Sequence, residues 1–336
     1  MIDLRSDTLT KPTDAMREAM FRAPVGDDVY GEDPSINELE ARGAELLGHE
    51  AALFCVSGSL ANLLGVWLVA ERGSELVCDE QAHIVRAEVG AHAALHGIQT
   101  RTWASPDGVA DPAVVERIVA DRAAHLVATG GVELENTHNF GGGTIQPVES
   151  MAKIAELCRD KGLGLHLDGA RLANAAVALG RPLSDWSKLA TSASLCLSKG
   201  LGAPVGTVLA SSRTNIARAR AERKRLGGGW RQAGILAAAG LYALDHHIDR
   251  LADDHAHARL IADIIRAKAP GAVAATVPTN IVVVTVPDAA AVVAGAKEQG
   301  VLVSLLNATT VRLVTHLDVT EAQCREGAEV VAELLA

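Results

Sequence analysis

Short apolar runs and longer amphipathic stretches alternate along most of the chain. The runs have the length of strands, and they predict β-strands at residues 51–56, 75–78, 98–103, 126–134, 163–167, 194–197 and 207–210. Helical spacing of apolar residues predicts helices among them at residues 60–70, 112–122 and 151–161. Strands separated by helices favour an α/β fold, in which a mostly parallel sheet is flanked by helices on both faces.

The C-terminal part of the chain has a different order of elements. A long helical stretch at residues 232–268 leads to strand-like segments at 281–286 and 311–314 and to helical segments at 288–298 and 320–335. This order predicts a smaller α+β C-terminal domain. We expect an N-terminal segment that contributes to the functional site (residues 1–14), a large domain (15–243) and a small C-terminal domain (244–336).

Composition and charge exclude several classes of protein. The 336 residues are 49% hydrophobic and 21% charged, which is typical of a soluble globular chain with a large core. A formal net charge of -10 and the lack of a long basic run argue against nucleic acid and anionic membranes as partners. The charged N-terminus and the lack of a membrane-length apolar run predict a cytoplasmic protein.

Cysteine usage points away from disulfides and zinc. The five cysteines form no Cys-x-x-Cys pair, and their odd number predicts buried free thiols. No cluster of potential ligands has metal-binding spacing along the chain, so the sequence assigns no metal ligands and leaves a structural metal ion open.

Two charged residues follow predicted strands. Lys199 lies between the apolar run 195–197 and a glycine-rich turn, and Asp168 ends an earlier strand. A lysine amine can condense with the aldehyde of pyridoxal 5'-phosphate (PLP) to form a Schiff base. A carboxylate facing the pyridine nitrogen keeps the ring protonated and electron-withdrawing. Taken singly, Lys199 is also compatible with a solvated strand end, and Asp168 with a helix cap.

Small residues occupy a junction between a predicted strand and a helix. Ser57, Gly58 and Ser59 stand where unpaired backbone N–H groups and the helix dipole favour an anion. Gly58 lets the backbone approach closely, and the Ser59 hydroxyl can donate a hydrogen bond. A serine that merely caps the helix gives the same pattern. Together with Lys199 and Asp168, which follow strands of the same predicted sheet, the turn indicates a phosphate site.

Five segments, taken in order, resemble the motifs of the L-threonine aldolases: residues 3–8, 25–34, 135–139, 166–171 and 198–206. These enzymes have the PLP-dependent fold type I, which they share with aspartate aminotransferase. Two positions depart from the family pattern, because Ser59 replaces the usual threonine and Trp230 the usual methionine. Ser59 keeps a hydroxyl, whereas Trp230 puts a bulky ring near the expected phosphate loop.

The resemblance implies PLP as the cofactor and assigns residues to it. Lys199 would form the Schiff base, Asp168 would face the pyridine nitrogen, and His83 would stack on the ring. Gly58, Ser59, Arg171 and Arg231 complete the implied cofactor site. In the family the contact at Arg231 comes from a neighbouring subunit, so the resemblance implies at least a dimer and suggests a homotetramer with shared active sites.

The implied reaction is the reversible retro-aldol cleavage of L-threonine and L-allo-threonine to glycine and acetaldehyde. Arg171 and Arg312 match the family's carboxylate-binding positions, and a guanidinium can hold a carboxylate through two parallel hydrogen bonds. Ser6 would be a third donor. Tyr30 matches the substrate-binding neighbourhood of the family.

Several features of the reaction stay open in the sequence. The base that removes the β-hydroxyl proton is His83, His125 or an ordered water, and Glu88 lies in the same motif neighbourhood with a less definite role. Alternatives on the same fold are an enzyme that prefers phenylserine-like β-hydroxy amino acids, a β-eliminating lyase, a racemase and an aminotransferase. A catalytically silent phosphate-binding or assembly protein is disfavoured because the lysine, the aspartate and both arginines are present.

Overall fold

The computed structural model describes residues 1–119 and 125–335, and twelve strands and fourteen helices lie within these ranges. The strands are β1 (Ile2–Asp3), β2 (Ala51–Cys55), β3 (Glu75–Asp79), β4 (Gln99–Trp103), β5 (Thr129–Glu135), β6 (Gly164–Asp168), β7 (Ser192–Cys196), β8 (Thr207–Ser211), β9 (Ile281–Thr285), β10 (Val301–Leu302), β11 (Ser304–Asn307) and β12 (Thr310–Val314).

The helices surround a central sheet and a smaller C-terminal one. They are α1 (Asp14–Arg22), α2 (Pro34–Leu47), α3 (Gly58–Val69), α4 (His83–Arg86), α5 (Ala91–His96), α6 (Pro112–Ile118), α7 (Val148–Asp160), α8 (Leu172–Leu179), α9 (Ser184–Ser187), α10 (Arg213–Arg225), α11 (Gly234–His246), α12 (Leu251–Lys268), α13 (Ala289–Glu298) and α14 (Glu321–Glu333).

The central sheet has seven strands in the order β2-β8-β7-β6-β5-β3-β4. Every pairing from β7 to β4 is parallel, whereas β8 runs antiparallel to both β2 and β7. Because β2 and β7 are both antiparallel to β8, they run in the same direction, and their carboxyl ends meet those of β3, β5 and β6 at one edge. The predicted mostly parallel α/β sheet is confirmed.

Helix α3 packs closely against the sheet because of one glycine. A Cβ atom at Gly65 would lie 2.1 Å from Cε1 of the buried His166 ring on β6, so no larger residue fits there. Five apolar residues of α3 are buried with Gly65, which fits a helix that covers the centre of a sheet: Ala61, Leu63, Leu64, Val66 and Val69. The tight packing brings the N-terminus of α3 to the edge where the strands end.

The C-terminal part forms an antiparallel sheet of β11, β12 and β9, packed with α12, α13 and α14 around its own apolar core. Ile2 and Leu4 belong to this core, and β1 pairs in parallel with β10. The start of the chain is therefore held by the C-terminal part. The domain boundaries after residues 14 and 243 stay predictions.

Three predicted elements need correction. The single helical stretch at 232–268 is two helices, α11 and α12, and the His247 ring hydrogen-bonds to the Leu201 carbonyl at the break (2.7 Å). The strand expected from residue 126 begins at Thr129. Helix α6 ends at Ile118, and residues 120–122 of the predicted helix lie outside the described ranges.

The cysteines and the helix lengths agree with the sequence. All five cysteines are buried and unpaired, as predicted. Of the helices in the described part of the chain, none combines the length and the apolar character needed to cross a membrane.

Candidate active site

Lys199 lies in the loop between β7 and β8, at the carboxyl edge of the sheet. Its backbone carbonyl accepts a hydrogen bond from the Thr10 hydroxyl (2.9 Å), so the N-terminal segment reaches this loop. The charge of Lys199 acts on two buried carboxyl groups, Asp7 and Asp168, and lowers the pKa of each. The sequence prediction that Lys199 and Asp168 meet at one edge agrees with this arrangement.

Asp168 is the last residue of β6 and is almost completely buried. Burial alone would raise its pKa, but the charges of Lys199 and His83 and a hydrogen bond from Asn62 outweigh it and lower the pKa below its usual value. The Asn62 amide donates to Asp168 Oδ2 (2.7 Å), and the Ala170 N–H donates to Oδ1 (2.9 Å). Asp168 is therefore an ionised carboxylate in a dry site.

His83 begins α4 and lies next to Glu88, with 2.8 Å between Nδ1 and Oε1. Burial lowers the pKa of His83, but the hydrogen bond to Glu88 and the charges of Asp168 and Glu88 raise it above its usual value. Burial also raises the pKa of Glu88. Glu88, whose role the sequence left open, is thus a hydrogen-bond partner of the His83 ring.

Asn62 joins the two carboxyl groups of the site and was not predicted from the sequence. Its amide nitrogen donates to Glu88 Oε1 (2.8 Å) as well as to Asp168 Oδ2 (2.7 Å). The available signal was an asparagine within the apolar helix α3. Possible metal-ligand atoms of His83, Glu88 and Asp168 lie within 4.8 Å of one another, a spacing compatible with a metal ion. The sequence did not predict this cluster because its residues come from separate segments of the chain.

The turn after β2 has the geometry of an anion site. The Ser57 hydroxyl accepts from the Leu60 N–H (3.2 Å) and caps α3, so the capping alternative is correct for Ser57. The N–H groups of Gly58 and Ser59 are in the first turn, where no intrahelical acceptor exists. A Cβ at Gly58 would be 3.6 Å from Cys196 Sγ, so this side chain lies beneath the turn.

Arg171 and Arg312 meet although they come from the central sheet and the C-terminal sheet. Nη1 of each donates to the same Asn139 Oδ1 atom, at 3.2 Å from Arg171 and 2.9 Å from Arg312. Arg171 also donates from Nε and Nη2 to Asp7. Burial and the nearby charge of Arg171 lower the pKa of Arg312 to about 10. Asp7 and Asn139 were not predicted as site residues, although both belong to the recognised motifs.

Ser6 reaches this neighbourhood through its chain position next to Asp7. Its hydroxyl oxygen accepts from the Thr8 N–H (3.2 Å) and from the Thr8 hydroxyl (2.8 Å). The side chain therefore caps the short turn Asp7–Leu9, and its proton is left to donate. Its contact with a substrate stays a prediction.

Tyr30, Arg231 and His125 are exposed in the isolated chain. Arg231 Nη1 donates to Asp27 Oδ2 (2.9 Å), and Tyr30 follows in the same surface segment. In residues 1–119 and 125–335, no described hydrogen bond or ion pair joins any of these three to Lys199 or Asp168. Their site roles stay predictions. Trp230 stacks on Phe54, with ring centroids 5.4 Å apart, so the larger ring fills space at the end of β2.

The sheet topology, with Lys199 and Asp168 at its carboxyl edge, defines a PLP-dependent enzyme of fold type I. The donor set fits this cofactor, because it offers an amine, an ionised carboxylate for the ring nitrogen and a helix N-terminus for the phosphate.

Comparison with known proteins identifies the family. Residues 3–289 match the family model of the beta-eliminating lyases. The chain is 44% identical over 329 residues to the low specificity L-threonine aldolase of Escherichia coli (strain K12), with 97% of each chain covered. A threonine aldolase structure from Leishmania major has a TM-score of 0.86 at 23% identity over 100% of both chains. A structure of SPT with PLP has a TM-score of 0.75 at 17% identity, over 99% of this chain and 87% of the other. The chain belongs to the low-specificity L-threonine aldolases.

Proposed function

We propose that this enzyme catalyses the reversible cleavage of L-threonine and L-allo-threonine to glycine and acetaldehyde. The observation that carries the proposal is the pair of arginines on one amide oxygen, which stands in the same buried site as Asp7 and close to Lys199. An α-amino acid needs an anion site for its carboxylate next to the cofactor-binding amine, and this arrangement supplies both.

The arginines orient the substrate for one particular bond cleavage. Arg171 and Arg312, assisted by Ser6, would hold the carboxylate and so fix the orientation of the substrate about Cα in favour of Cα–Cβ cleavage. Bound PLP supplies the electron sink that accepts the electron pair of the broken bond. Asp168 would support this by keeping a proton on the ring nitrogen, and Gly58 and Ser59 would hold the phosphate.

His83 is the proposed base for the β-hydroxyl proton. Because Nδ1 is engaged with Glu88, Nε2 is the nitrogen left to accept the proton. As the proton moves to Nε2, the C–O bond becomes the carbonyl of acetaldehyde and the Cα–Cβ electron pair stays with the glycine part. A proton delivered to Cα then completes glycine. His125 or an ordered water remains the alternative base.

We further propose a homotetramer with active sites shared between subunits, working in the cytoplasm. The exposure of Tyr30 and Arg231 beside Asp27 supports a partner subunit that receives these side chains. Five unpaired cysteines support a reducing compartment.

Product analysis of the PLP-loaded enzyme tests the proposed reaction. L-Threonine should give glycine and acetaldehyde in equal amounts, and Lys199→Ala should give neither. A keto acid with ammonia would instead indicate β-elimination, and a keto acid with an aminated cofactor would indicate transamination. Much faster cleavage of phenylserine than of threonine would favour the aromatic substrate class.

A further inference from the structure

Asn139 lies between two positive charges. Its Oδ1 accepts from Nη1 of Arg171 (3.2 Å) and from Nη1 of Arg312 (2.9 Å). The two guanidinium groups repel each other, and this repulsion adds to burial in lowering the pKa of Arg312. A carbonyl oxygen shared by both groups offsets part of this repulsion and fixes the distance and angle between them.

The remaining hydrogen bonds determine which donors are left for a ligand. Arg171 donates hydrogen bonds from Nε and Nη2 to the two Asp7 carboxyl oxygens, at 2.7 and 2.6 Å. Arg312 donates only from Nη1 to a described residue, and its Nε is buried without an acceptor in the described part of the chain. The Nε–Nη2 edge of Arg312 thus lacks an acceptor among the described residues. A ligand carboxylate would satisfy both nitrogens through two parallel hydrogen bonds.

Asn139 is itself held by a buried carboxyl group. Its N–H donates to Glu135 Oε1 (2.7 Å), and the other oxygen, Oε2, accepts from the His83 N–H (2.9 Å). Glu135 therefore connects the loop that holds the arginines to the first residue of the helix that holds the imidazole. A shift of Asn139 would move the arginines relative to His83.

We propose that Asn139 is a positioning residue for substrate recognition, which aims the Nε–Nη2 edge of Arg312 at the substrate carboxylate. Arg312 then makes the two-bond contact, and Arg171, occupied by Asp7, adds a single donor and charge. The assignment rests on the proposed function, since it takes an α-amino acid as the ligand.

Charge explains why an amide suits this position. Arg171 and Arg312 carry two positive charges and Asp7, with a pKa of about 2, carries one negative charge, which leaves one positive charge for one substrate carboxylate. An aspartate at position 139 would hold both arginines but cancel that charge. An alanine would keep the charge but release Arg312, while Asp7 would still hold Arg171. The two substitutions therefore remove the charge and the orientation one at a time, and each should weaken carboxylate binding.

The test uses the PLP-loaded enzyme and two ligands that differ in the carboxylate. Glycine and glycinamide are titrated against the absorbance of the bound cofactor, and kcat and KM are measured for L-threonine. For Asn139→Ala we expect the Kd for glycine and the KM for threonine to rise about tenfold, the effect of a misplaced hydrogen bond to a charged group. The Kd for glycinamide should change by less than about twofold. The kcat for threonine should fall, because the same arginines orient the Cα–Cβ bond for cleavage.

Three further variants test the charge of the site and the roles of the two arginines. Asn139→Asp should also weaken glycine binding without weakening glycinamide binding, because it removes the net charge. Arg312→Lys should raise the Kd for glycine more than Arg171→Lys does, since it destroys the two-bond edge.

The same measurements can overturn the proposal. Equal weakening of glycine and glycinamide in Asn139→Ala, or no change for either, would show that Asn139 does not position the arginines for a carboxylate. A larger loss in Arg171→Lys than in Arg312→Lys would reverse the assigned roles. Wild-type enzyme that binds glycine with this selectivity but does not cleave threonine would contradict the proposed reaction and leave the role of Asn139 intact.

Discussion

Asp7 and Arg171 form a buried ion pair in which the guanidinium edge meets both carboxyl oxygens, at 2.7 and 2.6 Å. The pair ties the N-terminal segment to the turn after β6. Asp7 also accepts a hydrogen bond from the Asn280 amide (3.2 Å), which lies just before β9. One carboxylate thereby links the start of the chain, the central sheet and the C-terminal part at the place where substrate is expected.

Removing the charge of Asp7 should destabilise the protein in a pH-dependent way. Burial raises the pKa of Asp7, but Arg171 outweighs it and lowers the pKa to about 2, below the unfolded value of about 4. The pair's stabilisation is therefore present above about pH 4 and is lost as the pH falls towards 2. In Asp7→Asn the free energy of unfolding at pH 7 should drop by about 3 kcal/mol.

Chemical denaturation between pH 2 and pH 7 measures the difference in free energy of unfolding between wild type and Asp7→Asn. This difference should become smaller as the pH falls towards 2. Asp3→Asn is the matched control, because its partner Arg5 is about half exposed. That substitution should change the free energy of unfolding by at most about 1 kcal/mol. A gap between Asp7→Asn and wild type that does not depend on pH would contradict the ion-pair explanation.

The pH dependence of catalysis should follow His83. A base must be unprotonated, so kcat/KM should rise with pH through a midpoint above the usual histidine value, because Glu88 and Asp168 raise the pKa of His83. Glu88→Gln removes one of these charges and should move the midpoint to lower pH. His125→Asn should leave it unchanged. The opposite pattern in the two variants would make His125 the base.

Asp168→Asn should separate cofactor binding from catalysis. The amide keeps the shape and the hydrogen bond to Ala170 but cannot stabilise a protonated ring nitrogen. We expect kcat to fall between about 10-fold and 1000-fold, the span of an opposite charge acting on a neighbouring pKa. The cofactor absorbance should persist in Asp168→Asn, while Lys199→Ala should lose the covalent link. Wild-type kcat in Asp168→Asn would exclude the assigned role.

Glu133 on β5 should make the protein less stable at alkaline pH. Both carboxyl oxygens are buried without a partner among the described residues, and burial, with Asp168 and other nearby carboxyl groups, raises its pKa well above the usual value. The folded state thus keeps a proton that the unfolded chain releases. Its stabilisation is complete below about pH 4 and is lost as the pH rises.

Glu133→Gln removes this titration. The free energy of unfolding of the variant should therefore increase relative to that of wild type between pH 4 and pH 8. Glu75→Gln is the contrasting control on the neighbouring strand, because Glu75 is buried with Arg101 at 3.1 Å. It should lose stability at neutral pH. The same difference in free energy of unfolding between wild type and Glu133→Gln at pH 4 and at pH 8 would contradict a protonated Glu133.

Subunit mixing should reveal whether Arg231 acts across an interface. Lys199→Ala and Arg231→Ala subunits, dissociated together and reassembled, should recover activity, since a mixed pair has one site with both native residues. Lys199→Ala mixed with Asp168→Asn should recover none, because those two residues serve the same site from one chain. Recovery in neither mixture would place Arg231 outside a shared site.

Local pattern was enough to predict much of the fold and part of the site. The apolar runs found the strands of the central sheet, because a buried strand needs continuous apolar residues whatever its partners are. The same reasoning placed Lys199, Asp168 and the Ser57 turn at one edge, since parallel strands bring their carboxyl ends together. The family motifs then supplied His83 and the two arginines, which no periodicity could distinguish from surface charges.

Contacts between distant segments were beyond the reach of the sequence. Asn62 looked like one polar residue in an apolar helix until α3 was packed against β6, and Asn139 had no assigned partner until β12 brought Arg312 to it. The prediction of one helix at residues 232–268 was wrong because no residue pattern within that segment marks the break at His247. A hydrogen bond between the His247 ring and the Leu201 carbonyl, a distant contact, stabilises the break. Burial and hydrogen bonding are properties of the packed chain. They decide which of the predicted charges remain ionised, which are paired, and which donors are left to meet a substrate.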